Sequence, residues 1–285
     1  MAATAAPAGT PRRVLVTGAA GGFGAPTVTR LREQGAQVVG LDRTDGEHVV
    51  ACDITDAAAV ERAVADAVGR LGGLDAVVHY AGIGTPNDAG GPLEPAALRV
   101  IDVNLLGAWR VTAAALPALL AGDRGGRGRV VFVSSELAYL TLPFVSAYSV
   151  AKRGMTAYAD ALRLEYGTEL HVSTVYPGYV RTPIHAEGRE VGLALEGQVR
   201  REEVEDVVGT VLRALTATRP PRDTACTRAG NLELWAGRHL PGLVGTAVAR
   251  RIRGQAMAGR FDGSPLAAGL VARLTGRTQV QRSAR

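Results

Sequence analysis

The chain has 285 residues, 47% of them hydrophobic and 21% charged, with a net charge of +5. That balance fits one large α/β domain and excludes intrinsic disorder throughout the chain. The charge is uneven: from residue 236 onward nine arginines face one aspartate, a net of +8, which leaves the first 235 residues at −3. A basic tail on an acidic body is not the footprint of a nucleic-acid binder.

Residues 1–11 are rich in Ala, Thr and Pro, lack the apolar core of a signal peptide and read as a disordered lead-in. An apolar run at 14–17 predicts a buried strand, followed by a glycine-rich turn and a helix over about 25–34. Residues 37–42 form the second strand. Residues 60–71 are helical, with Val60, Val64, Ala67 and Val68 on one face. Residues 74–79 read as a third strand and 94–120 as a long helical region. A fourth strand at 129–134, a helix at 149–167, a fifth strand at 171–176, a helix at 202–215 and a short strand at 231–235 complete the pattern. Beyond residue 235, Gly, Pro and Arg interrupt the helical pattern. The best stretch for a membrane span, residues 105–121, contains Arg110 and Pro117, so no span is expected. Two cysteines, Cys52 and Cys226, exclude a disulfide framework and a cysteine-based zinc site, and suit a reducing, cytoplasmic compartment.

Alternation of strands and helices with short connections predicts a Rossmann-type, doubly wound parallel sheet with its ligand crevice at the carboxyl ends of the strands. The expected organisation is one domain over 12–235 and a basic C-terminal extension over 236–285.

The first turn reads Gly18-Ala19-Ala20-Gly21-Gly22-Phe23-Gly24. Glycines there permit a tight turn and bring backbone N–H groups close to a pyrophosphate, and the following helix adds its positive end. Asp42 closes the second strand, 24 residues after Gly18. A carboxylate there accepts from ribose hydroxyls and repels a 2′-phosphate, which favours NAD; Arg43 beside it keeps NADP open. Asp53 is a second acid for the adenine edge. Tyr148 and Lys152 stand at i and i+4 and share a helix face. An ammonium beside a phenol is expected to draw its proton affinity toward working pH, as a general acid/base requires. Lys152 is the single lysine among 32 cationic residues. Arginine has replaced lysine everywhere else, so a compact ammonium is needed at this one place.

Thr17-Gly18-x-x-x-Gly22-x-Gly24, Asp42, Asp53-Ile54, His79-Tyr80-Ala81-Gly82, Asn104, Ser135, Tyr148-x-x-x-Lys152 and Pro177-Gly178 occur in one order. This set resembles the classical short-chain dehydrogenase/reductase (SDR) family over residues 12–215. The resemblance implies catalytic roles for Asn104, Ser135, Tyr148 and Lys152. Ser135 would hydrogen-bond the substrate oxygen, and Asn104 would hold a water in a proton relay ending at Lys152. It implies cofactor contacts from Gly18, Gly22, Phe23, Gly24, Asp42, Asp53, Ile54, Ala81, Gly82, Tyr148, Lys152, Pro177, Gly178, Val180 and Thr182. Two features depart from the family pattern. His79-Tyr80 stands where the family has Asn-Asn, and the family's C-terminal Asp-Gly-Gly is absent. His79 has no partner at ligand spacing, and no metal is expected.

The substrate side is expected from residues 136–144 and 183–201, with Leu137, Tyr139, Leu140, Leu142 and Phe144 in the first segment and Ile184, Val191, Leu193 and Leu195 in the second. Their apolar character suggests a lipophilic alcohol or ketone, such as a steroid; core packing is the alternative reading of the same residues. In the tail, Leu240, Leu243, Val244, Val248 and Ile252 form an apolar stripe beside arginines. Packing on the body or on a neighbouring subunit is preferred to contact with an anionic membrane surface. A homodimer or homotetramer is implied by resemblance. The expected function is therefore an NAD-dependent oxidoreductase, with a non-catalytic dinucleotide sensor or a membrane-surface protein as the alternatives.

Overall fold

A computed structural model describes residues 11–122, 127–193 and 196–276. The expected lead-in, apart from Pro11, lies outside the described residues, as does Leu195. The strands are β1 (Arg13–Thr17), β2 (Gln37–Asp42), β3 (Val49–Ala51), β4 (Ala76–His79), β5 (Gly128–Val133), β6 (Leu170–Tyr176) and β7 (Asp223–Ala225). Among the described residues they form one sheet in the order β3-β2-β1-β4-β5-β6-β7, parallel throughout. The chain goes from β1 outward to β2 and β3, then returns to the other side of β1 as β4. That reversal opens a crevice at the carboxyl ends of β1 and β4.

The helices are α1 (Gly24–Glu33), α2 (Ala57–Leu71), α3 (Pro95–Ile101), α4 (Ala108–Leu120), α5 (Ser146–Tyr166), α6 (Ala186–Glu190), α7 (Val204–Thr216), α8 (Arg228–His239), α9 (Pro241–Met257) and α10 (Ala268–Thr275). Two apolar layers sandwich the sheet. On one face Val60 and Val64 of α2, Val111 and Leu119 of α4, and Met155 and Leu162 of α5 pack against Leu15, Val77, Val130 and Phe132. On the other, Leu31 of α1 and Val211 and Leu215 of α7 pack against Val14, Val16, Val78 and Val131. Burial on both faces explains why β1 and β4 read as unbroken apolar runs rather than alternating ones.

Two expectations need correction, and one strand stood outside them. The strand expected at 231–235 is the middle of α8. Thr227 caps that helix by accepting from Gly230 N, Leu234 is buried while Leu232 faces solvent, and the seventh sheet position belongs to β7. The alternating Leu-Glu-Leu pattern imitated a strand, but capping and the occupied edge decided for helix. Residues 49–51 pair with β2 as a strand, too short to stand out in the sequence. The tail is helical in three pieces: α8 ends at His239 just before Pro241, α9 runs for 17 residues, and α10 follows a turn that holds Gly259, Gly263 and Pro265. Finally, α3, a π-helical turn at Asp102–Gly107 and α4 run on as one 26-residue apolar helix, Pro95–Leu120, long and apolar enough to cross a membrane by length and composition. It is a core helix, with Asn104, Val111, Thr112, Ala115 and Leu119 buried against the sheet side.

Candidate active site

The turn after β1 is shaped by its glycines. Gly18 adopts φ +68°, and a Cβ there would stand 2.7 Å from the backbone nitrogen of Ala81. A Cβ on Gly24 would collide with the carbonyl oxygen of Gly18, and one on Gly22 would reach Thr182 Cγ2 at 3.1 Å. The loop, the Ala81-Gly82 backbone after β4 and the Thr182 loop after β6 thus meet without side chains between them. They line a cleft of about 450 Å³ together with Phe23, Asp42, Arg43, Asp53, Ile54, Tyr148 and Lys152. Asp42 Oδ2 accepts from Ala20 N at 2.9 Å and Oδ1 from Arg43 N at 2.7 Å, which ties the carboxylate at the end of β2 to the glycine loop. Asp53 is held by Thr55, whose backbone and hydroxyl both donate to Oδ1 (3.0 and 2.7 Å), and these bonds lower its proton affinity. Arg99 stands 3.5 Å from its other oxygen.

Lys152 Nζ donates to Val133 O at 3.0 Å and lies 5.6 Å from the centre of the Tyr148 ring. Two hydroxyls, Ser134 Oγ and Thr156 Oγ1, donate to the Lys152 carbonyl (3.0 and 3.1 Å) and fix the backbone beneath it. Burial pushes the ammonium's pKa down to about 8. Burial likewise pushes the Tyr148 phenol up to about 12, with hydrogen bonding from Ser135 pulling the other way. The expected drop in the proton affinity of Tyr148 is therefore reversed here. Desolvation of the phenolate is the leading cause, and the Lys152 ammonium gives its hydrogen bond to Val133 O.

Asn104 lies in the π-helical turn, a distortion that often marks a functional position. It is fully buried; Nδ2 donates to Ile83 O and Val100 O (both 2.8 Å), while Oδ1 has no partner. A Cβ on Gly82 would stand 2.6 Å from that oxygen and 3.6 Å from Lys152 Nζ, so the glycine keeps open the space between amide and ammonium. Ser135 starts the turn after β5, where its hydroxyl accepts from Leu137 N at 3.2 Å. Ser135, Tyr148, Pro177, Gly178, Val180 and Thr182 line a small recess that adjoins the cleft at Phe23 and Tyr148. Of the residues expected in the site, Pro177, Gly178, Val180 and Ser135 border this recess rather than the main cleft, and Asn104 sits behind Gly82.

The departure at His79-Tyr80 has a structural explanation. His79 stacks on Phe132 (4.8 Å between ring centres), and its Nε2 pairs with Thr112 Oγ1 at 2.9 Å; burial pushes it down to about 3, so the imidazole is neutral. Tyr80 OH pairs with Thr27 Oγ1 at 2.8 Å. His79 serves the packing of β4, Tyr80 follows the strand and lines the cleft beside Phe23, and the backbone approach at Ala81-Gly82 is kept. Among the described residues no group of acidic, histidine and cysteine side chains is arranged to hold a metal.

An apolar pocket opens beside Tyr148. Leu137, Leu142, Phe144, Ile184 and Leu193 line it, and so do Ile252 of α9 and Phe261 beyond it. Phe144, Leu193, Ile252, Ala256, Phe261 and Val271 form one buried cluster, so the tail packs on the body and closes this pocket. Tyr139 and Leu140 of the same segment point instead into a different cavity, and Val191 is exposed. Sequence reasoning missed Ile252 and Phe261 as pocket walls; no local pattern marks a contact across more than a hundred residues.

The model of one protein family, described as short chain dehydrogenase, matches residues 12–191. Carbonyl reductase [NADPH] 2 of Sus scrofa is 32% identical over 225 residues, covering 72% of this chain and 88% of that protein. Dehydrogenase/reductase SDR family member 7B of Danio rerio is 29% identical over 191 residues, 65% of this chain and 61% of its own length. A solved structure of 3-ketoacyl-(acyl-carrier-protein) reductase from Brucella melitensis complexed with NADH has the same fold, with a TM-score of 0.65 at 24% identity, covering 76% of this chain and 97% of that one.

Proposed function

The chain belongs to the short-chain dehydrogenase family, and from that premise we propose that it interconverts a lipophilic secondary alcohol and its ketone with NAD, using Tyr148 as general acid/base. The observation that carries this reading is the placement of Tyr148 between the glycine-lined cleft and the apolar pocket, which it lines in common.

The cleft fits a nicotinamide dinucleotide: the loop at Gly18, Gly22 and Gly24 admits a pyrophosphate against the start of α1, and the presence of Asp42 and Asp53 in the same lining supports contacts to ribose and adenine. Thr182 lines the other end, and Val180 borders the recess that adjoins it. A bound nicotinamide dinucleotide supplies the hydride donor or acceptor. Asp42 supports NAD over NADP, because its carboxylate is fixed on the loop and repels a 2′-phosphate.

The chain's own residues move the proton. Ser135 Oγ orients the substrate oxygen. Tyr148 Oη, held protonated by burial, delivers its proton to a developing alkoxide in the reducing direction and takes it back in the oxidising one. Lys152 and the unpartnered Asn104 Oδ1 frame the space through which a water restores that proton. The walls Leu137, Leu142, Phe144, Ile252 and Phe261 exclude water and select an apolar substrate.

Exposed apolar side chains on α4 and α5, Trp109, Val150 and Leu164, support a homodimer or homotetramer. Two free cysteines suit a cytoplasmic location. The deciding experiment follows nicotinamide absorbance with a panel of steroid and other lipophilic alcohols and ketones, NAD and NADP run in parallel. Turnover that Tyr148→Phe lowers by about 10²–10⁴ is expected. Tight dinucleotide binding without turnover on any member would favour a non-catalytic sensor.

A further inference from the structure

Glu136 follows Ser135 directly and is 3% exposed, yet neither carboxylate oxygen has a hydrogen-bond partner. Glycines leave room for it: a Cβ on Gly230 of α8 would stand 2.8 Å from Oε1, and one on Gly178 3.5 Å from Oε2. An isolated carboxyl in the interior is costly, so something must offset it. The group borders a cavity of about 460 Å³ lined by neither the glycine loop nor Tyr148. The cavity lies between the Glu136 turn, residues 197–200, α8 and α9, with Leu140, Val199, Leu234, Val244 and Val248 as its apolar walls. A second buried polar side chain borders it: Gln198, 6% exposed, donates through Nε2 to Gln255 Oε1 at 2.7 Å and leaves its own Oε1 unpartnered.

The charges around Glu136 are mixed, but the positive ones are engaged elsewhere. Glu233 on α8 and Glu202 ahead of α7 face it; Arg200 faces it too, but is committed to Glu233 at 2.5 Å. Arg251 on α9 is turned to backbone carbonyls, donating to Gln198 O at 3.1 Å and to Gly197 O. Tyr139 lies on the same turn as Glu136. Glu202 is occupied with Gly178 N at 2.9 Å and the Thr227 hydroxyl at 3.1 Å. Arg200 and Glu233 cancel as a pair, so Glu136 is the one carboxylate of the lining with neither a cation nor a hydrogen bond of its own, and the walls are apolar.

We propose that this cavity is a second ligand site, separate from the cofactor cleft, which takes an organic cation: an ammonium head on a short apolar body, with Glu136 as its anionic partner and Gln198 as a further acceptor. Burial, then Glu233 and Glu202, push the Glu136 carboxyl up to about 8; in the absence of such a ligand a proton supplies the positive charge the site calls for. Binding is an exchange. The O–H bond of Glu136 breaks, the proton passes to buffer, and the carboxylate pairs with the incoming ammonium. Affinity therefore rises as pH is raised from 6 toward 8, by up to tenfold per pH unit.

The probe is n-hexylammonium, with n-hexanol as its uncharged counterpart, titrated calorimetrically into the full chain with and without NAD. The cation is expected to bind at one site at least tenfold tighter than the alcohol, to release about one proton at pH 7 (read from phosphate against Tris heats), and to ignore NAD. Glu136→Gln should weaken the cation at least tenfold and leave the alcohol unchanged. Ala247→Trp, at an exposed α9 position bordering the cavity, should remove both and decides the matter if Glu136→Gln does not fold. Equal binding of cation and alcohol, competition with NAD, binding without proton release, or binding unchanged in Ala247→Trp overturns the proposal.

Discussion

Replacing Lys152 with arginine tests the assignment made from the chain's one lysine. The ammonium is 3% exposed, bonded to Val133 O at 3.0 Å, and 3.6 Å from where a Gly82 Cβ would stand. A longer, planar guanidinium has no space there, and overpacking of this kind costs about 1–3 kcal/mol of stability. The catalytic effect should be larger. Removing a positioned proton-transfer group costs about 10²–10⁴ in rate, or roughly 3–5 kcal/mol of barrier. The variant is to be assayed for kcat/KM across pH 6–10 with circular dichroism and melting as folding controls. In the parent, Lys152 passes from ammonium to amine near its pKa of about 8, and log kcat/KM should break there. A guanidinium does not deprotonate in this range, so residual activity in Lys152→Arg should lack that break. A variant within tenfold of the parent, or one with the same break near pH 8, would refute the argument that this site requires a compact ammonium.

Asp42→Ala should shift selectivity toward NADP by about ten- to a hundredfold, some 1–3 kcal/mol, measured as the ratio of kcat/KM with the two cofactors; an unchanged ratio would remove Asp42 from the cofactor reading. Phe261→Ala deletes a buried wall of the apolar pocket and should cost about 3–5 kcal/mol of stability. It should also raise kcat/KM for bulky alcohols relative to small ones, and loss of stability with no change in that ratio would confine Phe261 to packing. Glu136 binds its proton more tightly in the fold (about 8) than its ordinary 4.5. Its contribution is fully present below pH 4.5 and lost as pH rises through 8, about 2–5 kcal/mol in all. Denaturant titrations of the parent and Glu136→Gln, whose neutral amide mimics the protonated acid, should lie closest near pH 5 and separate as pH rises to 8.5, the parent falling below the variant, and parallel curves would exclude this group.

The alternation of short apolar runs with helical patterns was enough to predict the parallel sheet, because strands buried on both faces carry unbroken valine and leucine whatever packs on them. The site residues were legible for a related reason. Gly18, Gly22 and Gly24 are demanded by backbone geometry within one turn, and Tyr148 and Lys152 by adjacency on one helix, so each constraint is local. Other features were not local. Residues 231–235 alternate like a strand, yet a cap from Thr227 and an edge already filled by β7 made them helix. The direction of the Tyr148 shift depends on how deeply the fold buries the phenol. Only tertiary structure carried Ile252 and Phe261 to the pocket, and only tertiary structure left Glu136 buried without a partner. Burial and long-range contact are properties of the packed chain; a sequence records which residues suit a turn or a helix face, not which distant surface will cover them.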